Sequence, residues 1–89
     1  DEKEAARLLG LAAEQGNATA QVNLGTMFEE GRGVRRSLSQ AYFWYALAAA
    51  QGLEDTVSLR DAAARKLKPA ELAAQDSRIS RWKPKPQMH

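Results

Sequence analysis

Apolar residues along this chain fall in short helical stripes separated by glycine, asparagine, serine and proline. The densest stripe is AYFWYALAAA, positions 41–50. At about 100° per residue, Ala41, Trp44, Tyr45, Ala48 and Ala49 share one broad helix face, and Phe43, Leu47 and Ala50 form a second. A helix with two apolar faces is expected to be covered on two sides. Leu72, Ile79 and Trp82 make a thinner inner stripe near the C-terminus, and Leu8, Leu9, Leu11 and Ala12 make one near the N-terminus.

The residues between the stripes punctuate them. Gly16 is placed to end one helix in the left-handed conformation, and Asn17 can cap the next by accepting amide hydrogen bonds. Gly31 and Gly33 break the following helix. Ser37 and Gln40 fit the S-x-x-Q capping box, and Gly52 closes the helix it opens. Pro69 suits a first helical turn, although Lys68 before it is a poor cap. Five helices are predicted, over roughly residues 2–15, 18–30, 39–51, 54–67 and 69–82. The ending KPKPQMH reads as a basic, proline-spaced, flexible tail.

The four consecutive aromatics, Tyr42 to Tyr45, belong to a chain with only six aromatics in all. Trp44 and Tyr45 are expected in the core, and Tyr42 is expected at the surface. Small residues between large ones let helices approach closely. Gly25 supports this, because an interior glycine costs roughly 1 kcal/mol relative to alanine and close packing against a bulky ring offsets that cost. A cofactor cradle would need convergent polar groups beside the rings, and none are at hand.

The segment LAAEQGNATAQ (11–21) returns as LAAAQGLEDTV (47–57), displaced by thirty-six residues. A period of this length is one helical hairpin, which cannot bury its apolar face until neighbours stack on it. Leu24-Gly25, Phe28, Gly31-Arg32-Gly33-Val34, Ala41, Trp44-Tyr45, Ala48-Ala49 and Gly52 together resemble the Sel-one-like repeat, a relative of the tetratricopeptide repeat. Phe28 stands where that family usually has tyrosine, and Leu8-Leu9 stand in place of its tryptophan-tyrosine pair. The resemblance assigns 1–16 to the second helix of a truncated repeat, 17–52 to a complete repeat, 53–82 to a degenerate capping repeat and 83–89 to the tail. It implies an all-α fold, a right-handed α-solenoid of antiparallel helix pairs whose concave surface binds protein or peptide. It further implies a bacterial member, similar to polar localisation factors, with the periplasm or cell envelope favoured. Leu24, Gly25, Phe28, Ala41, Trp44, Tyr45 and Ala48 are its packing positions.

Composition narrows the chemistry. Eighty-nine residues without cysteine make one small domain with no disulfide or thiolate metal site. The single histidine is His89, the last residue, which reads as a frayed end. Adjacent acids such as Glu29-Glu30 diverge by about 100° on a helix and rarely share a proton. The serines lack a histidine to activate them, and GRGV is too short for a phosphate loop. No enzyme, no metal, no cofactor and no small-molecule substrate is expected.

Binding is expected instead. Thr19, Asn23, Thr26 and Glu30 project to the open side of the second helix. The resemblance places Asn23 where an asparagine clamps a peptide backbone. Arg60 could approach the same groove and meet a carboxylate as a planar fork; its alternative is an ion pair with Asp55 or Asp61.

Charge is uneven: positions 1–31 hold six acids and two bases, positions 60–89 three acids and eight bases. Arg78, Arg81, Lys83 and Lys85 flank Trp82, so a second expectation is a basic cap tethering the parent to an anionic polymer or membrane surface. Nucleic acid is disfavoured, because the folded body carries too little excess base. Trp82 is expected to seal the cap. A third expectation is a segment that only ends a longer array. The opening half-repeat implies repeats upstream, and self-association through Leu8, Leu9, Leu11 and Ala12 is expected.

Overall fold

A local signal marks the start of nearly every helix. The computed structural model describes residues 1–86, with α1 at Glu2–Glu14, α2 at Ala18–Glu30, α3 at Leu38–Ala50, α4 at Thr56–Arg65 and α5 at Pro69–Arg81. The described residues contain no strand. Asp1 caps α1 by accepting the Glu4 amide at 2.9 Å, Asn17 caps α2 through the Ala20 amide at 2.8 Å, and Ser37 caps α3 through the Gln40 amide at 3.2 Å. Each side-chain oxygen satisfies one of the amides that a helix start leaves free. The reciprocal half of the Ser37 capping box is not used: the Gln40 side chain accepts from Arg78 instead, at 2.9 Å. At α5 the reverse half is made, the Glu71 carboxylate accepting from the Lys68 amide at 2.9 Å.

α4 is the exception. It spans ten residues rather than the fourteen predicted, because Asp55 turns left-handed at φ 64° and offers no side-chain cap.

α1 and α2 run antiparallel, as do α2 and α3. Along the α2–α3 seam, the Ser37 amide donates to Phe28 O at 2.9 Å, Gly25 faces Ala41 and Tyr45, and the Gln51 amide donates to Gln21 Oε1 at 3.0 Å. A Cβ on Gly25 would lie 2.7 and 2.8 Å from Tyr45 ring carbons, so the glycine is what lets these two helices close. Gln21 is fully buried yet satisfied, because its amide also donates to Ala13 O at 3.1 Å. That contact joins the C-terminal half of α1 to the N-terminal half of α2.

α3 is the centre of the molecule. Every side chain from Ala41 to Ala48 is buried, because α2, α4 and α5 each cover part of its circumference. Burying Phe43 or Tyr45 contributes roughly 3 kcal/mol each. The core divides differently from the expected faces. Trp44 groups with Phe43, Leu47, Ala13, Ala20 and Leu24 in one cluster, whereas Tyr45 groups with Ala41, Tyr42, Ala46 and Ala63 in another. Ala50, placed on the second apolar face by spacing, is exposed. Phe43 and Trp44 meet edge to face with centroids 4.9 Å apart.

Two expectations about the C-terminal end are overturned. Tyr42 is buried rather than at the surface, because α5 lies across α3 and its Asp76 accepts the Tyr42 hydroxyl at 2.5 Å. The tail was expected to be flexible from residue 83, yet its first part is seated. Trp82 packs against the Trp44 cluster, Pro84 lies over Gly16, and the Lys85 amide donates to Glu14 O at 2.7 Å. Residues 87–89, including His89, lie outside the described residues.

Candidate interaction surface

The α1–α2 pair leaves a cleft on its surface. Ala5 and Leu9 of α1 face Asn23, Thr26 and Met27 of α2, with Arg32 of the following loop at the rim; the cleft holds about 310 Å³. Its walls follow from helix spacing, since residues four apart stand one above another on a helix. Asn23 is exposed, and among the described residues no hydrogen bond engages its carboxamide. Its donor and acceptor are both open to a ligand backbone.

The guanidinium of Arg32 lies 3.0 Å from Glu30 and 3.8 Å from Glu2, all three side chains about half exposed. Exposed ion pairs of this kind contribute between nothing and about 1 kcal/mol. A ligand carboxylate can therefore recruit Arg32 at small cost. A larger hollow of about 520 Å³, lined by Asp1, Glu2, Lys3, Gly31, Val34 and Arg35 among others, offers no side-chain amide or hydroxyl.

The sequence-predicted residues separate. Asn23 and Thr26 share the cleft, Glu30 reaches it only through Arg32, and Thr19 is exposed but lies outside the cleft lining. Thr26 does not present a free hydroxyl. Its Oγ1 lies 3.1 Å from Val22 O and 3.1 Å from the Tyr45 hydroxyl, so it serves the α2–α3 seam. Arg60 is ion-paired with Asp61 at 2.9 Å on α4 and takes no part in the cleft.

Sequence reasoning missed Ala5, Leu9, Met27 and Arg32 as cleft residues. The antiparallel pairing of α1 and α2 was the available signal, since it sets the loop after α2 beside the start of α1.

A second polar cluster links three helices. The Tyr45 hydroxyl donates to Glu29 at 2.8 Å, and Lys66, the residue after α4, approaches the same carboxylate at 3.6 Å. Burial pushes the Tyr45 phenol up to about 12, with the Thr26 contact opposing and Glu29 adding to the shift. Tyr42 is likewise raised to about 12, first by burial and then by its bond to Asp76. Both phenols are neutral structural donors over the ordinary pH range. Among the described residues, no group of three His, Cys, Asp or Glu side chains surrounds a point where a metal ion could sit.

At the basic end all four cationic residues are exposed, and three of them have partners within the chain. Arg78 donates to Gln40 at 2.9 Å and stacks 3.9 Å over the Phe43 ring, Arg81 donates to Ser77 at 3.1 Å, and Lys85 pairs with Glu14. Lys83 is exposed. No helix among the described residues is long and apolar enough to cross a membrane.

Comparison with known proteins agrees with this architecture. The family model described as the Sel1 repeat matches residues 1–17 and 18–53. The chain is similar to a mouse protein, "DAP3-binding cell death enhancer 1", at 41% identity over 54 residues, and to its rat counterpart at 39% over 54 residues. That stretch is 61% of this chain but only 11% of either relative.

Proposed function

This chain belongs to the Sel1 repeat family, and on that premise we propose that it is a non-enzymatic interaction module that holds an extended segment of a protein partner in the cleft between α1 and α2. Sel1 repeats mediate protein–protein interaction. The observation that carries the finer reading is the exposed, unengaged carboxamide of Asn23 above the apolar side chains of Leu9 and Met27. A primary amide can donate to one backbone carbonyl and accept from one backbone amide without reading the side chain between them. Leu9, Ala5 and Met27 supply apolar surface, and Arg32 supplies a charge-assisted donor for a carboxylate.

The name of the mouse relative, which refers to binding another protein, accords with a partner-binding role. The tether reading is weaker, because Arg78, Arg81 and Lys85 are engaged within the chain.

The test is selection of peptides from a displayed random library on the immobilised chain, followed by titration of the selected peptides into the labelled chain with amide and side-chain chemical shifts as readout. Shifts should concentrate on Leu9, Asn23, Thr26 and Arg32. Asn23→Ala should weaken binding about tenfold or more, the loss of two neutral hydrogen bonds. Selected peptides that shift only α4 or α5, and bind Asn23→Ala as tightly, would sink the reading. Binding that falls steeply with salt, in the way of polyanion attachment, would favour the tether.

A further inference from the structure

A helix leaves its last four carbonyls without an intrahelical partner. At the end of α1 each of the four is met. Leu11 O and Ala12 O accept from the Gln15 amide at 3.3 and 3.2 Å, Ala12 O also accepts from Asn17 at 3.1 Å, and Ala13 O accepts from Gly16 at 3.0 Å. The fourth, Glu14 O, is met from the other end of the chain, by the amide of Lys85 at 2.7 Å. α1 has no basic residue in its last turn. The Lys85 ammonium, paired with the Glu14 carboxylate, places a cation where the helix dipole favours one.

The rest of the segment is seated as well. Pro84 packs over Gly16, its Cβ only 3.3 Å from where a Cβ on that glycine would stand. Trp82 packs against the cluster that includes Ala13, Ala20 and Trp44. An aromatic anchor, a proline on a glycine, one main-chain hydrogen bond and one ion pair are the elements with which domains recognise extended peptides. The segment is also lightly held from behind. No residue of α5 is buried, and the Lys85 side chain is 71% exposed in its ion pair. Elements with few buried contacts open locally at low free-energy cost.

From this we infer that the corner formed by the end of α1 and the α1–α2 turn is a binding site for an extended Trp-x-Pro-Lys segment. The chain's own residues 82–86 fill it, and a segment of the same chemistry from a partner protein takes their place when they lift away. The partner's tryptophan enters the apolar cluster, its proline covers Gly16, and its lysine amide and ammonium meet the carbonyl and carboxylate of Glu14. The site is separate from the Asn23 cleft, which lies toward the other end of α1.

A ligand that must displace a seated segment binds with an apparent affinity reduced by the fraction of molecules that are open. The experiment therefore compares the full chain with its full-length Pro84→Gly/Lys85→Glu variant, both substitutions at exposed positions. The probe is a fluorescein-labelled synthetic peptide SRWKPKP, the sequence of residues 80–86, followed by anisotropy; amide exchange is followed in parallel.

In the unsubstituted chain the Lys85 amide should be protected at least tenfold, and the variant should lose that protection while α2 and α3 keep theirs. The peptide should bind the variant at least fivefold more tightly than the unsubstituted chain. Adding Glu14→Lys should abolish that binding, and adding Asn23→Ala should leave it unchanged. An unprotected Lys85 amide in the unsubstituted chain would overturn the inference. So would peptide binding no tighter to the released variant, or a peptide sensitive to Asn23→Ala and indifferent to Glu14→Lys.

Discussion

The dipeptide Gln-Gly occurs at two corners of the molecule, Gln15-Gly16 between α1 and α2 and Gln51-Gly52 between α3 and α4. Both glycines are left-handed, at φ 98° and 82°, a conformation only glycine adopts without strain. From there the corners diverge. After Gly16, Asn17 caps at once and α2 begins at Ala18. After Gly52 come Leu53, Glu54 and a left-handed Asp55, and α4 begins at Thr56 without a side-chain cap. The first corner is covered by Pro84, whereas a Cβ on Gly52 would meet nothing within 4 Å. The same turn residue thus closes a helix in both places, but the following residue decides how soon the next helix starts. What packs on the corner is decided elsewhere in the chain.

The corners also touch. Gln51 Nε2 donates to Gly16 O at 2.8 Å and to Gln21 Oε1 at 3.0 Å, so the second corner holds the first. The largest effect should arise along the α2–α3 and α3–α5 packing between these corners, at alkaline pH. Tyr45 and Tyr42 are raised to about 12 from an ordinary 10. Between those values the unfolded chain has lost the phenolic protons that the folded chain keeps. Stability present below pH 10 therefore declines as pH rises toward 12, by up to about 1.4 kcal/mol per tyrosine per pH unit. Thermal unfolding followed across this range should show a steep fall, shallower in Tyr42→Phe. A flat profile would mean that both phenols titrate normally.

Gln51→Ala comes next. It removes two hydrogen bonds and leaves the buried Gln21 oxygen without its donor, at a cost of about 2 kcal/mol in denaturant unfolding. A loss below about 0.5 kcal/mol would show the corners to be independent. Asn17→Ala should cost about 1 kcal/mol, the usual value of an N-cap, and should reduce exchange protection of the Ala20 amide first. The smallest effect should be a gain. Asp55→Gly relieves the left-handed strain at the uncapped corner and should stabilise by about 0.5 kcal/mol; destabilisation would mean that the Asp55 side chain has a role not seen in its contacts.

Much of this architecture was legible in the order of residues. The five helices, the caps at Asn17 and Ser37, the close approach at Gly25 and the burial of Trp44 all follow from signals that act within a few residues. The candidate cleft was legible only in part. Asn23 could be picked from the repeat pattern, but Arg32 and Leu9 enter the cleft through the antiparallel pairing of α1 with α2. Thr26 looked available because helical spacing reports direction and not hydrogen-bond partners. Its hydroxyl lies against Tyr45, a residue on another helix.

Sequence alone determined, to within a residue, where α1, α2, α3 and α5 start and stop, because capping and left-handed turns depend on the few residues that make them. It also determined which helix is central, because only one stretch is apolar all round. Only the tertiary structure decided that Tyr42 turns inward, that the core splits between Trp44 and Tyr45, and that Trp82, Pro84 and Lys85 close the corner at Gly16. The first and last of those outcomes depend on where α5 comes to lie across α3. That placement is the sum of many contacts between distant residues, and no local pattern encodes it.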